Sequence, residues 1–380
     1  MKYNSSKVKY INYAIIIFAF LIVILFPFIA SFLGIKNDLK GAEEKVEFRY
    51  DNIDEYVTQN FPGRAFLMRM KNQIMYSLFD VSPNELITKV DDTLYSVETL
   101  DYFYHGHHSM EKNEIDVLLA KIRYLNAICN ETGKKLVVIT TPTKPRYVKK
   151  LPFADELINA YQNKEYIRPY EIFKEELKKT DVNYFDCADY IDTHMDSIVG
   201  GEVPLFYNSG HHWSNYKGNL VGLGFMDFMR KKLNITLPDI VVTATPSDIP
   251  KHPDADLFEV LNVYDKPNEK YYESVISYNN IDYEELNYLV QGGSFLGGFL
   301  IPYWTIGLRN NVIHIENKAV LYNKYKASAT FETFDELNDK INLLDSLKET
   351  NIIILEIHEV NIYNATFGFI DYLLEHKDKF

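Results

Sequence analysis

The spacing of apolar positions changes several times along the chain, and each change predicts an element. Residues 11–34, INYAIIIFAFLIVILFPFIASFLG, carry no charge. As a helix rising 1.5 Å per residue they would extend about 36 Å, enough to span a bilayer core with some tilt. Pro27 is tolerable in such a helix, where neighbours re-satisfy freed backbone groups. Lys2, Lys7 and Lys9 precede the segment and the mixed-charge stretch KNDLKGAEEK follows it. The positive-inside rule then predicts a cytoplasmic tail at 1–10, a single-pass anchor at 11–34 in the cell membrane, a polar linker at 35–50 and an extracytoplasmic domain at 51–380. The competing reading is a cleaved signal peptide. Its apolar core would be shorter, about 7–15 residues, and would end in a small-residue cleavage site.

Residues 51–80 read as helical, and 81–108 hold short strand-like pieces such as DTLYSV. From residue 110 the pattern alternates. NEIDVLLAKIRYLNAICNETG has a helical period and a Gly stop. KKLVVITTP is a continuous β-branched run, as in a strand covered on both faces. Further helices are expected at 164–179, 214–232 and 333–347, with a closing amphipathic helix at 361–378. Further strands are expected at VNYFDCADY, at NYLVQGG (287–293), at NVIHIE (311–316) and at NIIILEI (351–357). Alternation of this kind predicts an α/β fold with a mostly parallel sheet and helices on both faces. Ligands in such sheets sit beyond the carboxyl ends of the strands. Residues 236–286, rich in Pro, Asp and Tyr and without clear period, read as an insertion.

Net charge is −13, and the segment before residue 35 holds three Lys and no acid. An acidic domain of this kind repels nucleic acid at long range, which argues against that partner. Cys129 and Cys187 are far apart and form neither a disulfide framework nor a zinc pattern, so both are expected as buried thiols. Tyr (29) and Phe (24) are abundant, which suits core packing first and sugar-stacking surfaces second. HGHH at 105–108 has no neighbouring carboxylate or Cys pattern and reads as a loop rather than a metal site. No metal or cofactor is implied.

Two segments carry candidate chemistry. In QGGSFLGGF (291–299) an apolar strand ends in Gly292 and Gly293, then Ser294, then a helix-compatible run. Such a turn presents a serine at the sheet's carboxyl edge beside free N–H groups. An ordinary glycine turn with Ser294 as N-cap is the alternative. In SGHHWSNYKG (209–218) His211 and His212 precede Trp213 and a helix start at Ser214. An imidazole is the usual base for a serine hydroxyl. A loop with His stacked on Trp213 is the alternative.

Together GHHW (210–213) and GGSF (292–295) resemble the D-x-H-W and G-D-S phrases of DHHW-type proteins and SGNH-like alginate O-acetyltransferases, with His before Ser. FPGR (61–64), LFDVSPNELITKVDDTLY (78–95), TPTKPRYVKKLPF (141–153) and NIIILEIHEVNI (351–362) fit the same layout, so the likeness runs from about residue 52 to the C-terminus. The resemblance implies an SGNH-hydrolase-like three-layer sandwich, Ser294 as nucleophile, His212 as base and His211 at a variable position. It also implies a polysaccharide acceptor and a multi-spanning membrane partner that supplies the acyl group. Two positions depart from the pattern. Gly210 stands where an Asp would orient the histidine, and Gly293 stands in the middle of the G-D-S phrase. Asp186, Asp189, Glu356 and Glu359, near predicted strand ends, are candidate replacements for the missing carboxylate. A non-catalytic relative that binds glycan or an assembly partner is the second reading.

Overall fold

The computed structural model describes residues 64–106, 108–148, 168–280, 283–299, 312–317, 319–322 and 329–380, with Leu25, Phe26 and Ile29. The expected linker, and the expected anchor apart from those three residues, lie outside the described residues. Among the described residues no helix is long and apolar enough to cross a membrane.

The chain divides into two compact units. In residues 1–83 with 261–266, α1 (Arg64–Leu78) turns a polar side to the short second segment. Arg69 Nε donates to Asn262 Oδ1 at 3.0 Å, and Asn72 Nδ2 to the Leu261 carbonyl at 2.8 Å. Residues 84–260 with 267–380 hold everything that follows.

This second unit begins with an antiparallel pair, β1 (Ile87–Val90) and β2 (Thr93–Ser96). Helices α2 (Val97–His105) and α3 (Lys112–Glu131) lead to β3 (Lys135–Thr141). A short α4 (Lys144–Tyr147) follows, then α5 (Pro169–Leu177), β4 (Asn183–Asp186), α6 (Cys187–Thr193) and α7 (Met195–Ile198). Next come α8 (Asn215–Leu233), β5 (Asp239–Ser247), α9 (Asp256–Glu259) and β6 (Tyr271–Asn280). The chain continues through β7 (Tyr288–Gly292), β8 (Val312–Glu316), β9 (Ala319–Tyr322) and β10 (Ala329–Thr330). It closes with α10 (Phe334–Ile341), α11 (Leu343–Glu349), β11 (Ile352–His358) and α12 (Phe369–Glu375).

Seven of the described strands form one sheet in the order β10-β9-β8-β7-β11-β3-β4. The five from β8 to β4 are parallel, and β9 and β10 add an antiparallel edge. The β-branched runs end up in the middle because a central parallel strand is buried on both faces. Strand alternation sorts their side chains. Leu136, Val138, Ile353, Leu355 and Ile357 pack with α3, α5, α10, α11 and α12. Val137, Ile139, Ile352 and Ile354 pack on the opposite face with α6, α7 and α8. Each such fully buried aliphatic contributes roughly 1.5–3 kcal/mol of transfer free energy. The result is three layers, α/β with a mostly parallel sheet.

Three expectations change in detail. The 333–347 helix is two helices, broken at Asn342, whose φ of 51° is left-handed backbone that Asn tolerates. The closing helix is regular over Phe369–Glu375; residues 359–368 form an irregular 3-10 segment with Thr366 and Phe367 at positive φ. The aperiodic stretch 236–286 contains an antiparallel hairpin, β5 against β6, with α9 inside its long connection. Its strands are largely exposed, so little apolar alternation marks them.

Candidate active site

Strand β7 delivers Ser294 to the carboxyl edge of the sheet. After Gly292 the chain turns sharply, and a helix begins at residue 295. A Cβ at Gly292 would lie 2.6 Å from Glu356 Cβ and 2.7 Å from Leu296 Cδ1, so glycine is what lets the turn close over β11. Glu356, on β11, fixes the turn from below. Its Oε2 accepts the Gly293 N–H at 2.6 Å, and its Oε1 accepts the Thr141 hydroxyl. Burial pushes the Glu356 carboxyl up to about 7, against the pull of those two hydrogen bonds. Ser294 itself is exposed.

The loop before α8 delivers His212. Buried Lys144 donates to the carbonyls of Leu94, Tyr207, Asn208 and Gly210 at 2.7–3.0 Å. Glu269 accepts the N–H groups of Asn208 and Ser209 at 2.6 and 2.9 Å. Ser214 caps α8 by accepting the Lys217 N–H. Trp213, 1% exposed, ties this loop to the Ser294 turn. It stacks on Phe299 at 5.8 Å and meets Phe295 edge-on at 5.5 Å. Gly218 and Gly298 leave it room: a Cβ there would sit 2.8 and 3.3 Å from the indole.

The two segments meet. His212 Nε2 lies 2.7 Å from Ser294 Oγ. On the far side of the ring, His212 Nδ1 lies 2.6 Å from Asp256 Oδ2. The carboxylate can only accept, so Nδ1 carries the proton and Nε2 presents its lone pair to the serine hydroxyl. Asp256 Oδ1 also accepts the N–H groups of His211 and Leu257, at 2.6 and 3.0 Å. Burial works to raise the Asp256 carboxyl, but its hydrogen bond to His212 and the charge beside it hold it below the usual range.

Asp256 is the first residue of α9, inside the stretch read as an insertion of unclear role. None of the four carboxylates expected to replace the missing Asp does so. Asp186 accepts the hydroxyls of Tyr170 and Tyr184 and caps α6 through Asp189 N. Asp189 pairs with Lys174 and Lys178. Glu359 receives Arg146 Nη2 at 2.6 Å and the Thr143 N–H at 2.8 Å. Glu356 holds the serine turn. Gly210 also has a steric reason. A Cβ there would lie 2.6 Å from the carbonyl oxygen of Asp254, in the very turn that brings Asp256 to the ring. The legible signal was this glycine, which marks a close backbone approach; its partner strand of chain was not legible.

A cavity of about 200 Å³ opens beside Ser294, lined by His211, Phe295, Asn317, His358, Glu98 and Thr99 among others. His211 stands edge-on to His212 at 4.9 Å and to Phe295 at 5.6 Å. Burial, then the charges of His212 and Lys144, push His211 down to about 3, against the pull of Asp256. His358 stacks on Phe295 at 4.2 Å, and burial holds it well below the usual imidazole range.

Elsewhere, His108 meets Glu98 at 3.3 Å and stacks on Tyr363 at 3.8 Å. His107 and the side chain of His105 lie outside the described residues. Among the described residues no three His, Cys, Asp or Glu side chains gather in a way that suits a metal ion. Cys129 and Cys187 are free and buried.

No family model matches this sequence, and no curated protein matches it significantly. Solved structures that resemble it include the O-acetyltransferase domain of AlgJ from Pseudomonas putida. That match has 13% identity and a TM-score of 0.41, over 76% of this chain and 97% of that one. PatB1 of Bacillus cereus matches at 13% identity and a TM-score of 0.41, over 73% of this chain and 97% of that one. AlgX of Pseudomonas aeruginosa matches at 12% identity and a TM-score of 0.45, over 75% of this chain and 66% of that one.

Proposed function

We propose that this chain is a serine O-acyltransferase that moves an acetyl group onto a hydroxyl of a cell-surface or exported polysaccharide, outside the membrane. The observation that carries this reading is the unbroken Asp256–His212–Ser294 chain, with links of 2.6 and 2.7 Å. Both lie within the reach that proton transfer requires.

Ser294 Oγ attacks the acyl carbon of an activated donor ester, and its proton passes to His212 Nε2. Asp256 steadies the imidazolium that forms. The leaving group departs with that proton and leaves an ester on Ser294. A sugar hydroxyl then attacks the same carbon, gives its proton to His212, and Ser294 leaves as its hydroxyl. Water in place of sugar gives an esterase. The Gly293 N–H is already taken by Glu356, so the oxyanion would be held by the Ser294 N–H or another donor at the turn. The motif resemblance supports the glycan acceptor and a multi-spanning membrane partner as the source of the acyl group. The apolar segment 11–34 supports anchoring in the same membrane.

The alternative of a non-catalytic binding protein rests on Gly210 and Gly293; the Asp256 carboxylate 2.6 Å from His212 Nδ1 supports the catalytic reading over it. Ser294→Ala and His212→Ala should each abolish release of p-nitrophenol from its acetate ester, and a serine-reactive phosphonate should label Ser294 and no other serine. Full activity in both variants would exclude the mechanism.

A further inference from the structure

Helix α1 (Arg64–Leu78) carries its amphipathic pattern the wrong way round. The side it turns to the short second segment of its unit is polar. Arg69 and Asn72 bond Asn262 and the Leu261 carbonyl, and Gln73 Oε1 accepts the Tyr264 N–H at 2.7 Å. Its outer side is apolar. Leu67, Met70, Ile74 and Leu78 follow one another at spacings of three and four, which stacks them on one face. Leu67 is half-buried, while Met70, Ile74 and Leu78 are 40%, 42% and 76% exposed. A helix at a protein surface normally buries its apolar stripe and shows its polar one. An apolar stripe left outward marks a surface that meets something else.

Charge, length and a neighbouring ring say what that is. Residues 64–79 hold three cations and no acid, in a chain of net charge −13. Two of the cations, Arg64 and Lys71, fall on the apolar face, one turn before and one turn after Leu67. Long basic side chains lay their stems along apolar surface and carry the charge sideways to water or to an anion. At 15 residues the helix is too short to cross a bilayer, which takes about 20, but it can lie on one. Phe26 stacks on Phe66, in the first turn of α1, with ring centroids 5.4 Å apart. Phe26 belongs to the uncharged stretch 11–34, so α1 starts beside the segment read as the anchor. Only this last contact depends on that reading.

We infer that α1 lies flat on the bilayer, with Leu67, Met70, Ile74 and Leu78 sunk into the headgroup–acyl boundary and Arg64 and Lys71 paired with acidic phospholipid headgroups. The apolar face supplies the depth, and the cations supply a preference for acidic lipid. Acyl transfer plays no part in this inference.

The test uses the full-length chain reconstituted in vesicles of phosphatidylcholine, with and without phosphatidylglycerol. Ile74→Cys, Leu78→Cys, Val117→Cys and Leu21→Cys each receive a thiol-reactive fluorophore. The native Cys129 and Cys187 are buried, and the unsubstituted protein should take no label. Val117, on α3, is 57% exposed and serves as the aqueous control. In acidic vesicles the labels at Ile74 and Leu78 should be quenched by nitroxide on the lipid chains and shielded from aqueous iodide, and the label at Val117 should show the reverse. Arg64→Gln and Lys71→Gln should each lower the ratio of docked to undocked helix about fivefold. Iodide quenching at Ile74 and Leu78 equal to that at Val117 would overturn the inference. Shielding from both quenchers would also overturn it, because protein would then cover the face. Equal docking on pure phosphatidylcholine would overturn the assignment to acidic lipid. The label at Leu21 keeps the anchor separate. Lipid quenching at Leu21 but not at Ile74 sinks this inference alone, and the opposite result sinks the anchoring reading alone.

Discussion

At the residue scale, the site turns on one carboxylate. Asp256 fixes the His212 tautomer through Nδ1, so Asp256→Asn should leave the geometry in place and lower kcat. A comparable change in a serine protease costs about 10⁴, and steady-state kinetics on an acetate ester would measure it. If turnover were unchanged, Asp256 would not orient the base. Gly210→Asp, which places a carboxylate at the motif position, should not raise turnover of an acetate ester. Its Cβ would meet the Asp254 backbone at 2.6 Å and push away the turn that holds Asp256. A fall in turnover and a loss of about 1–3 kcal/mol in urea denaturation are expected. Ser294 and His212 were legible because each lies in a short phrase whose residue types match the chemistry. Asp256 was not, because it lies 44 residues from its partner and its local sequence, DADLF, reads like many helix starts.

At the element scale, the serine turn and β11 form one unit. Gly292 packs directly on Glu356, so Gly292→Ala should destabilise the protein by about 1–3 kcal/mol and displace Ser294. Equilibrium unfolding and phosphonate labelling of Ser294 would register the two effects, and a fully stable, fully reactive variant would contradict them. Strands β3, β7 and β11 were readable as apolar runs because burial on both faces removes the polar positions. Residues 359–368 were not. The helix expected over 361–378 runs into this segment, but Thr366, Phe367 and Gly368 adopt positive φ, which no right-handed helix permits. The β5–β6 hairpin was missed for the opposite reason, since its exposed strands carry no strict alternation.

At the scale of the whole molecule, two buried carboxyls give stability an unusual pH dependence. Burial raises Glu356 and Asp254 to about 7 from ordinary values of 4.5 and 3.8. Between those limits the folded protein binds more protons than the unfolded chain, so their contribution falls as pH climbs from about 4 and levels off above about 7. Glu356→Gln, a neutral mimic, should remove its share. Relative to the unsubstituted protein, the variant should gain up to about 3 kcal/mol on passing from pH 5 to pH 8, read from denaturation midpoints. A constant difference across that range would show that Glu356 does not titrate in the window.

The order of apolar and polar residues by itself determined the layered α/β plan and the strand ends where chemistry would lie. It also determined which hydroxyl and which imidazole to examine, because these depend on local period and on residue type. Tertiary structure decided that the two segments meet at 2.7 Å, that Asp256 rather than a residue near a strand end hydrogen-bonds the far side of the His212 ring, and that Glu356 braces the Ser294 turn instead. The reason is physical. Hydrogen bonds and close packing between remote segments depend on ångström-scale distances, and those exist only once the hairpin, the loop before α8 and the sheet edge have come together.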